Sequence, residues 1–281
     1  MRVFVVFIQA LLPESQRLPD RREKGDILAA NPIAGGSTVS DQSRKIAGVM
    51  GGMGPDATVD FMAKVVAMTD SGHDQDHVHM IVDQDPTVPN RQTAIDGGVD
   101  DVTPRLAQMA IRLERAGADF LVLVCNTAHV FLCGVRAETS IPFISIIEES
   151  IAEVGRVAPD ARTVGVMATH SCLDTGIYQN EIVRSGRQAV IPDESGRAEL
   201  MRLINKIKAG DKSADVAASM EAIAQSLVDE GVDVIIGGCT EIPIVFEGDD
   251  FTVPVIASTN VLASRTLALA KGYEPLPKKN T

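Results

Sequence analysis

The chain has 281 residues, of which 45% are hydrophobic and 23% charged, with four cysteines and a formal net charge of −12. That balance describes a globular protein with room for one large domain or two ordinary ones. It excludes a general nucleic-acid binder, which needs a basic face, and a disulfide-built scaffold; no apolar run reaches the roughly 20 residues that span a bilayer. A reduced, cytoplasmic setting with no membrane partner is the expectation.

Residues 1–45 read as an N-terminal extension. They carry seven Lys/Arg against five Asp/Glu. Pro, Gly, Ser and charge dominate from about Glu14 to Ser43, so poor order is expected. Arg2 before apolar Val3–Ile8 resembles the start of a secretory leader, but the apolar core is short and no clear small-residue cleavage site follows.

Ile46–Met50 is a strand candidate, closed by the glycine-rich turn Gly51-Gly52-Met53-Gly54-Pro55. The spacing predicts a helix capped by Asp56 or Thr58, with Val59, Met62, Ala63 and Val66 on its apolar face. Val78–Val82 is a second strand. Asp85–Arg91 holds two prolines and must be a loop. A helix from about Val102 puts Leu106, Met109, Ala110 and Leu113 on one face and stops at Gly117. Phe120–Cys125 is a continuous apolar run, the mark of a buried parallel strand. A helix and the strand Ile141–Ile146 follow.

The second half repeats this plan. Gly165 in Thr163–Met167 echoes Gly48, Cys239 after Val234–Gly238 echoes Cys125, and Pro254 in Val253–Ala257 echoes Pro142, at offsets of 117, 114 and 112. A repeat of that size is a domain rather than a solenoid unit. The expected fold is α/β: two similar lobes, each a mostly parallel sheet flanked by helices, related by pseudo-twofold symmetry with the active site between them. The lobes divide as 46–143 plus 259–275 and 144–258. A last helix, Val261–Ala270, crosses back to the first lobe.

Cys125 and Cys239 each end a strand at the edge where open α/β sheets bind ligands. Alone, either reads as readily as a small buried apolar residue. As a matched pair they place one thiol on each wall of a cleft. That suits removing a proton from one face of a carbon and returning one to the other. A helix starting just after each cysteine would lower its thiol pKa toward neutral. Asn126, Thr127, Thr240 and Glu241 follow the cysteines directly. They can cap helices or bind an α-carboxylate and α-ammonium. Arg91 is either a solvated surface residue or a fork for a distal carboxylate. Lys208, at a helix end, is more ambiguous still. The glycine turn lacks the phosphate-loop pattern. Cys125, His129 and Cys133, one above another on a helix face, rarely close a metal site alone, so no metal is expected.

These motifs together resemble the aspartate/glutamate racemase superfamily, nearest its aspartate and broad-specificity amino-acid branch. Gly51–Thr58, Pro89-Asn90-Arg91, Cys125–His129 and Gly238–Pro243 carry the likeness. It covers about residues 46–272. The resemblance implies that Cys125 and Cys239 act as acid and base without pyridoxal phosphate or metal, usually in a homodimer. It implies that Arg91, and Lys208 with it, hold the side-chain carboxylate. It further places Met53, Asn126, Thr127, Thr169, Thr240 and Glu241 around the substrate. Glu241 and the Gly-Gly-Met-Gly turn depart from glutamate racemases, and Cys172 stands where the aspartate branch carries threonine. The rival readings are a maleate isomerase or hydantoin racemase-like cousin, and a binding protein for acidic amino acids. A mild effect of Glu241→Gln would favour the isomerase, a harmful one the racemase.

Overall fold

Short β-rich runs alternate with helical segments along the chain, and that alternation builds parallel sheets covered by helices. The computed structural model describes residues 44–97, 101–246, 248 and 251–278, all within the compact unit Val39–Thr281. The expectations for the leader and for residues 1–43 lie outside the described residues. β1 Ala47–Gly51, β2 Met80–Gln84, β3 Phe120–Leu123 and β4 Phe143–Ile144 form one sheet in the order β2-β1-β3-β4. β5 Thr163–Met167, β6 Gln188–Val190, β7 Val234–Gly237 and β8 Val255–Ala257 form the other in the order β6-β5-β7-β8. Every pairing is parallel. The two sheets therefore share one topology, in line with the repeat in the sequence. In each, the strand that ends in a cysteine is central: Val49 of β1 pairs with Val122 of β3, and Gly165 of β5 with Ile235 of β7.

The helices are α1 Pro55–Met68, α2 Arg91–Ile95, α3 Thr103–Arg115, α4 Leu132–Ala137, α5 Ile146–Val157, α6 His170–Asp174, α7 Ile177–Arg184, α8 Glu194–Lys208, α9 Ala214–Asp229 and α10 Ser258–Ala270. One hydrophobic cluster joins the two sheets. Val49 and Val122 of the first sheet and Val166 and Ile236 of the second belong to it, with Phe61 of α1, Ile147 of α5, Tyr178 of α7 and Leu262 of α10. Separate clusters fill the outer sides, one under α3 and one under α8 and α9. Burying each such large apolar side chain contributes about 1.5–3 kcal/mol. The backbone N–H of Lys45 donates to the Ala270 carbonyl at 2.8 Å, tying the start of β1 to the end of α10.

Three expectations change. In α1 the buried residues are Ala57, Thr58, Phe61 and Val65, whereas Val59 and Val66 are 59% and 50% exposed. The helix carries apolar residues on more than one side, so spacing admits two stripes; the tertiary contact selects the one holding the bulky phenylalanine. Its N-cap is Gly54 with no side-chain cap. Thr58 instead accepts a hydrogen bond from the Gly52 N–H at 2.9 Å, which stiffens the glycine turn from inside. Gly52 has φ +94°, and any Cβ there would strike the Asp85 backbone. Finally, each cysteine is followed by a short 3₁₀ turn, Thr127–Phe131 and Ile242–Ile244, rather than by the start of an α-helix.

Candidate active site

β3 and β7 end in the same way. Val124 N–H donates to Met50 O at 3.0 Å and Gly238 N–H to Met167 O at 2.7 Å, so each ladder continues to the residue before the cysteine. The backbone is thus held by its sheet up to the thiol-bearing residue. Both cysteines are buried, Cys125 at 6% and Cys239 at 5% exposure.

Around Cys239 the chain builds a charged relay. Its Sγ donates to Glu241 Oε2 at 3.0 Å, and Thr240 Oγ1 donates to the same oxygen at 3.2 Å. The other carboxylate oxygen, Oε1, accepts from the Lys208 ammonium, delivered by the last turn of α8. Glu241 is 3% exposed. Burial pushes the Cys239 thiol well above its usual range, and the Glu241 carboxylate pushes it further against the opposing pull of Lys208. The expectation of a thiol lowered by a helix terminus is therefore corrected for Cys239: burial and then the adjacent carboxylate drive it up, and a 3₁₀ turn offers little dipole against them. Burial works against the Lys208 charge, but Glu241, then Cys239 and Cys125, outweigh it and raise its pKa. Gly54 of the glycine turn borders the pair: a Cβ there would lie 3.4 Å from Glu241 Oε1 and 3.7 Å from Lys208 Nζ.

Arg91 opens α2, which Asn90 caps by accepting from the Gln92 and Thr93 N–H groups at 2.9 and 3.3 Å. Its half-buried guanidinium donates only to carbonyls: Val88 at 3.1 Å, Pro89 at 2.9 Å and Met53 at 3.5 Å. Among the described residues no carboxylate pairs with it. Met53 itself is buried. Arg91 thus fastens the Pro-Asn-Arg loop to the glycine turn and has no counter-ion among the described residues, while Lys208 is already neutralised by Glu241.

Asn126, Thr127 and Thr169 are all buried. Thr127 Oγ1 and Thr169 Oγ1 lie 2.8 Å apart, joining the turn after β3 to the start of α6. Gln92 Oε1 accepts from the Ser171 N–H at 3.0 Å, which ties α2 to α6 as well. Asn126 is held on both sides of its amide, by the Tyr178 hydroxyl and by Ser258. Neither partner carried a sequence signal beyond the cap-like placement of Ser258 at a helix start. Cys172 is fully buried behind Thr169, which accepts its N–H at 3.4 Å.

His129 spends both ring nitrogens on backbone. Nδ1 meets the Cys125 carbonyl at 2.8 Å and Nε2 accepts the Ile146 N–H at 3.2 Å, so the ring is neutral and no nitrogen is left for a metal. Among the described residues no cluster of three metal-ligating side chains exists. A groove of about 720 Å³ lined by His129, Cys133, Arg136 and Glu148 lies behind this turn. Neither Cys125 nor Cys239 lines it.

Burial holds His129 down to about 4 against an ordinary 6.5. The unfolded chain therefore binds a proton between those values that the folded chain refuses. Stability is full above pH 6.5 and declines as the pH falls toward 4, by up to about 3 kcal/mol. Urea unfolding of wild type and His129→Gln at pH 7 and 4.5 checks this. The variant should lose less stability on acidification; parallel losses would remove His129 as the cause.

A family model described as Asp/Glu/Hydantoin racemase matches residues 50–266. The broad specificity amino-acid racemase RacX of Bacillus subtilis is 29% identical over 234 residues, covering 81% of this chain and 99% of that protein. Among solved structures, the aspartate racemase of Picrophilus torridus aligns with a TM-score of 0.72 at 28% identity, over 83% of this chain and 96% of that one. An aspartate racemase homologue from Pyrococcus horikoshii aligns with a TM-score of 0.67 at 24% identity, over 80% and 99%; at that identity the likeness bears on the fold.

Proposed function

The chain belongs to the Asp/Glu/hydantoin racemase family, and from that premise we propose that it is an amino-acid racemase working through Cys125 and Cys239 without a cofactor, with aspartate as first substrate and glutamate second. The observation that carries the reading is the pair of buried cysteines at matching strand ends, with the proton of one held by Glu241. In this resting arrangement Cys239 is the acid. The Cys125 thiolate takes the α-proton, forming S–H as the Cα–H bond breaks. The electron pair moves into the α-carboxylate. The Cys239 thiol then gives its proton to the opposite face of the same carbon, leaving thiol and thiolate exchanged between the two residues. The carbanionic state needs donors aimed at the developing charge. The second amide hydrogen of Asn126 and the Thr127 hydroxyl, with Thr169 supplying the hydrogen those two threonines share, are the candidates.

Arg91 supports an acidic substrate. An ionised guanidinium whose partners among the described residues are all carbonyls is fitted to receive a distal carboxylate in a two-pronged pair. Removing one member of such a pair costs about 2–5 kcal/mol, so Arg91→Leu should raise KM for aspartate roughly 30-fold or more. The test is proton NMR in D₂O with L- and D-aspartate, glutamate and neutral amino acids, for wild type and Arg91→Leu. Loss of the α-proton signal together with appearance of the other enantiomer is expected for wild type. Absence of exchange from every amino acid would overturn the reading. Turnover of maleate would then indicate the isomerase, and binding without turnover the binding protein.

A further inference from the structure

The two cysteine turns come from strands more than a hundred residues apart, yet a thiol on each must reach the same carbon. The sheets bring the turns near one another; something between them must set their separation. A buried chain of hydrogen bonds runs from one to the other. Tyr178 OH donates to Asn126 Oδ1 at 2.7 Å, Asn126 Nδ2 donates to Ser258 Oγ at 3.2 Å, and Ser258 Oγ donates to Gly237 O at 2.8 Å. Asn126 directly follows Cys125, and Gly237 stands two residues before Cys239. Each hydroxyl gives its one hydrogen along this chain, which fixes the direction of the Asn126 amide.

Tyr178 touches the second turn as well. Its ring lies against Gly238: a Cβ there would sit 2.7 Å from Cε2 and 3.2 Å from Cζ. Only glycine lets the backbone next to Cys239 approach the ring so closely. Tyr178 and Ser258 are 0% exposed and Asn126 is 2%. A buried phenol without a partner is costly, so the hydroxyl and the Asn126 amide constrain one another. Burial, then the charge of Cys172, raises the Tyr178 pKa, which keeps the hydroxyl a donor.

We propose that Tyr178 is the spacer between the two cysteine turns, its ring setting the position of the Cys239 turn and its hydroxyl that of the Cys125 turn, and is thereby a positioning residue for inversion. Its catalytic consequence rests on the two-thiol reading above. A displacement near 1 Å between reacting groups costs on the order of 100-fold in rate. If the thiols drift apart, proton abstraction by one and its same-face return survive, whereas delivery from the opposite face fails.

Tyr178→Phe keeps the ring on Gly238 and removes only the oxygen. In D₂O the variant should invert aspartate roughly 10- to 100-fold more slowly, with KM within about twofold of wild type. Washout of the α-proton with retained configuration should continue, so the ratio of retention to inversion rises at least about tenfold. Amide hydrogen exchange should quicken in both turns, residues 124–130 and 237–242. Ser258→Ala cuts the chain at another link and should give the same signature; it decides the matter if Tyr178→Phe does not fold. Equal falls in inversion and same-face exchange, or faster amide exchange confined to the surroundings of the substituted residue, would overturn the spacer. Failure of the racemase reading is separately visible as a wild type that exchanges no substrate, and the amide-exchange result then still decides whether Tyr178 couples the turns.

Discussion

Alanine at Cys125 or at Cys239 is expected to lower the rate of racemisation by about 10³-fold or more while leaving the protein folded. A positioned acid or base contributes about 10²–10⁴-fold, and here each turnover needs one of each. Because inversion needs both thiols in the same turnover, their losses should not add: the double variant should be no slower than the slower single variant. Both cysteines are small, buried and free of disulfides, so removing a sulfur disturbs packing by about 1 kcal/mol, comparable to one methylene. Each single variant keeps one thiol and should still exchange the α-proton of one enantiomer with solvent, slowly and without inversion. Which enantiomer survives in which variant identifies the face each cysteine serves. A single variant retaining a tenth of wild-type racemisation would show that its cysteine is neither acid nor base.

Glu241→Gln is the second large effect. Glu241 accepts from Cys239, Thr240 and Lys208 together. Glutamine keeps the shape but removes the charge, so Lys208 loses its counter-ion and the Cys239 thiol its strongest local acceptor. Losing hydrogen bonds to a buried charged group costs about 1.5–3 kcal/mol, tempered here because the Lys208 side chain is 34% exposed and can turn to water. The rate should fall on the order of 100-fold, the lower end for an acid whose proton is no longer held. The sign of the pH effect follows from the same contact. A neighbouring negative charge favours the neutral thiol, and removing it lowers the Cys239 pKa. If Cys239 must be protonated, the alkaline limb of kcat/KM moves to lower pH in the variant. An unmoved limb, measured across the alkaline range, would remove Glu241 from the control of Cys239. The same contact changes what this substitution can distinguish. Read from the sequence, Glu241 faces a substrate ammonium, and its neutralisation separates a racemase from a diacid isomerase. With Glu241 holding Lys208 and Cys239, the substitution harms either chemistry, so substrate trials must separate them.

Much of the architecture was legible because it is written locally. Thr163–Met167, Val234–Gly237 and Phe120–Leu123 are strands where the apolar runs placed them. The helix under the first sheet buries Leu106, Met109, Ala110 and Leu113 as its period required. Boundaries and faces were less secure. α1 shows its broad apolar surface in two directions, and only packing against the shared core chose Phe61 and Val65 over Val59 and Val66. The turns after the cysteines are 3₁₀ where the sequence predicts α-helix, because capping residues such as Asn126 and Thr240 mark the start of a helical turn without fixing how far it runs.

The sequence by itself determined the α/β class, the doubled plan and the placement of Cys125 and Cys239 at strand ends, since apolar period and turn chemistry depend only on near neighbours along the chain. The tertiary structure alone decided how those residues are partnered. Lys208 meets Glu241 across 33 positions, Tyr178 meets Asn126 across 52, and Asn126 meets Ser258 across 132. Whether a carboxylate binds a ligand or a lysine, and whether a thiol is driven up or down in pKa, depends on burial and on charges within a few ångströms. Those distances exist only once helices and strands have packed in three dimensions.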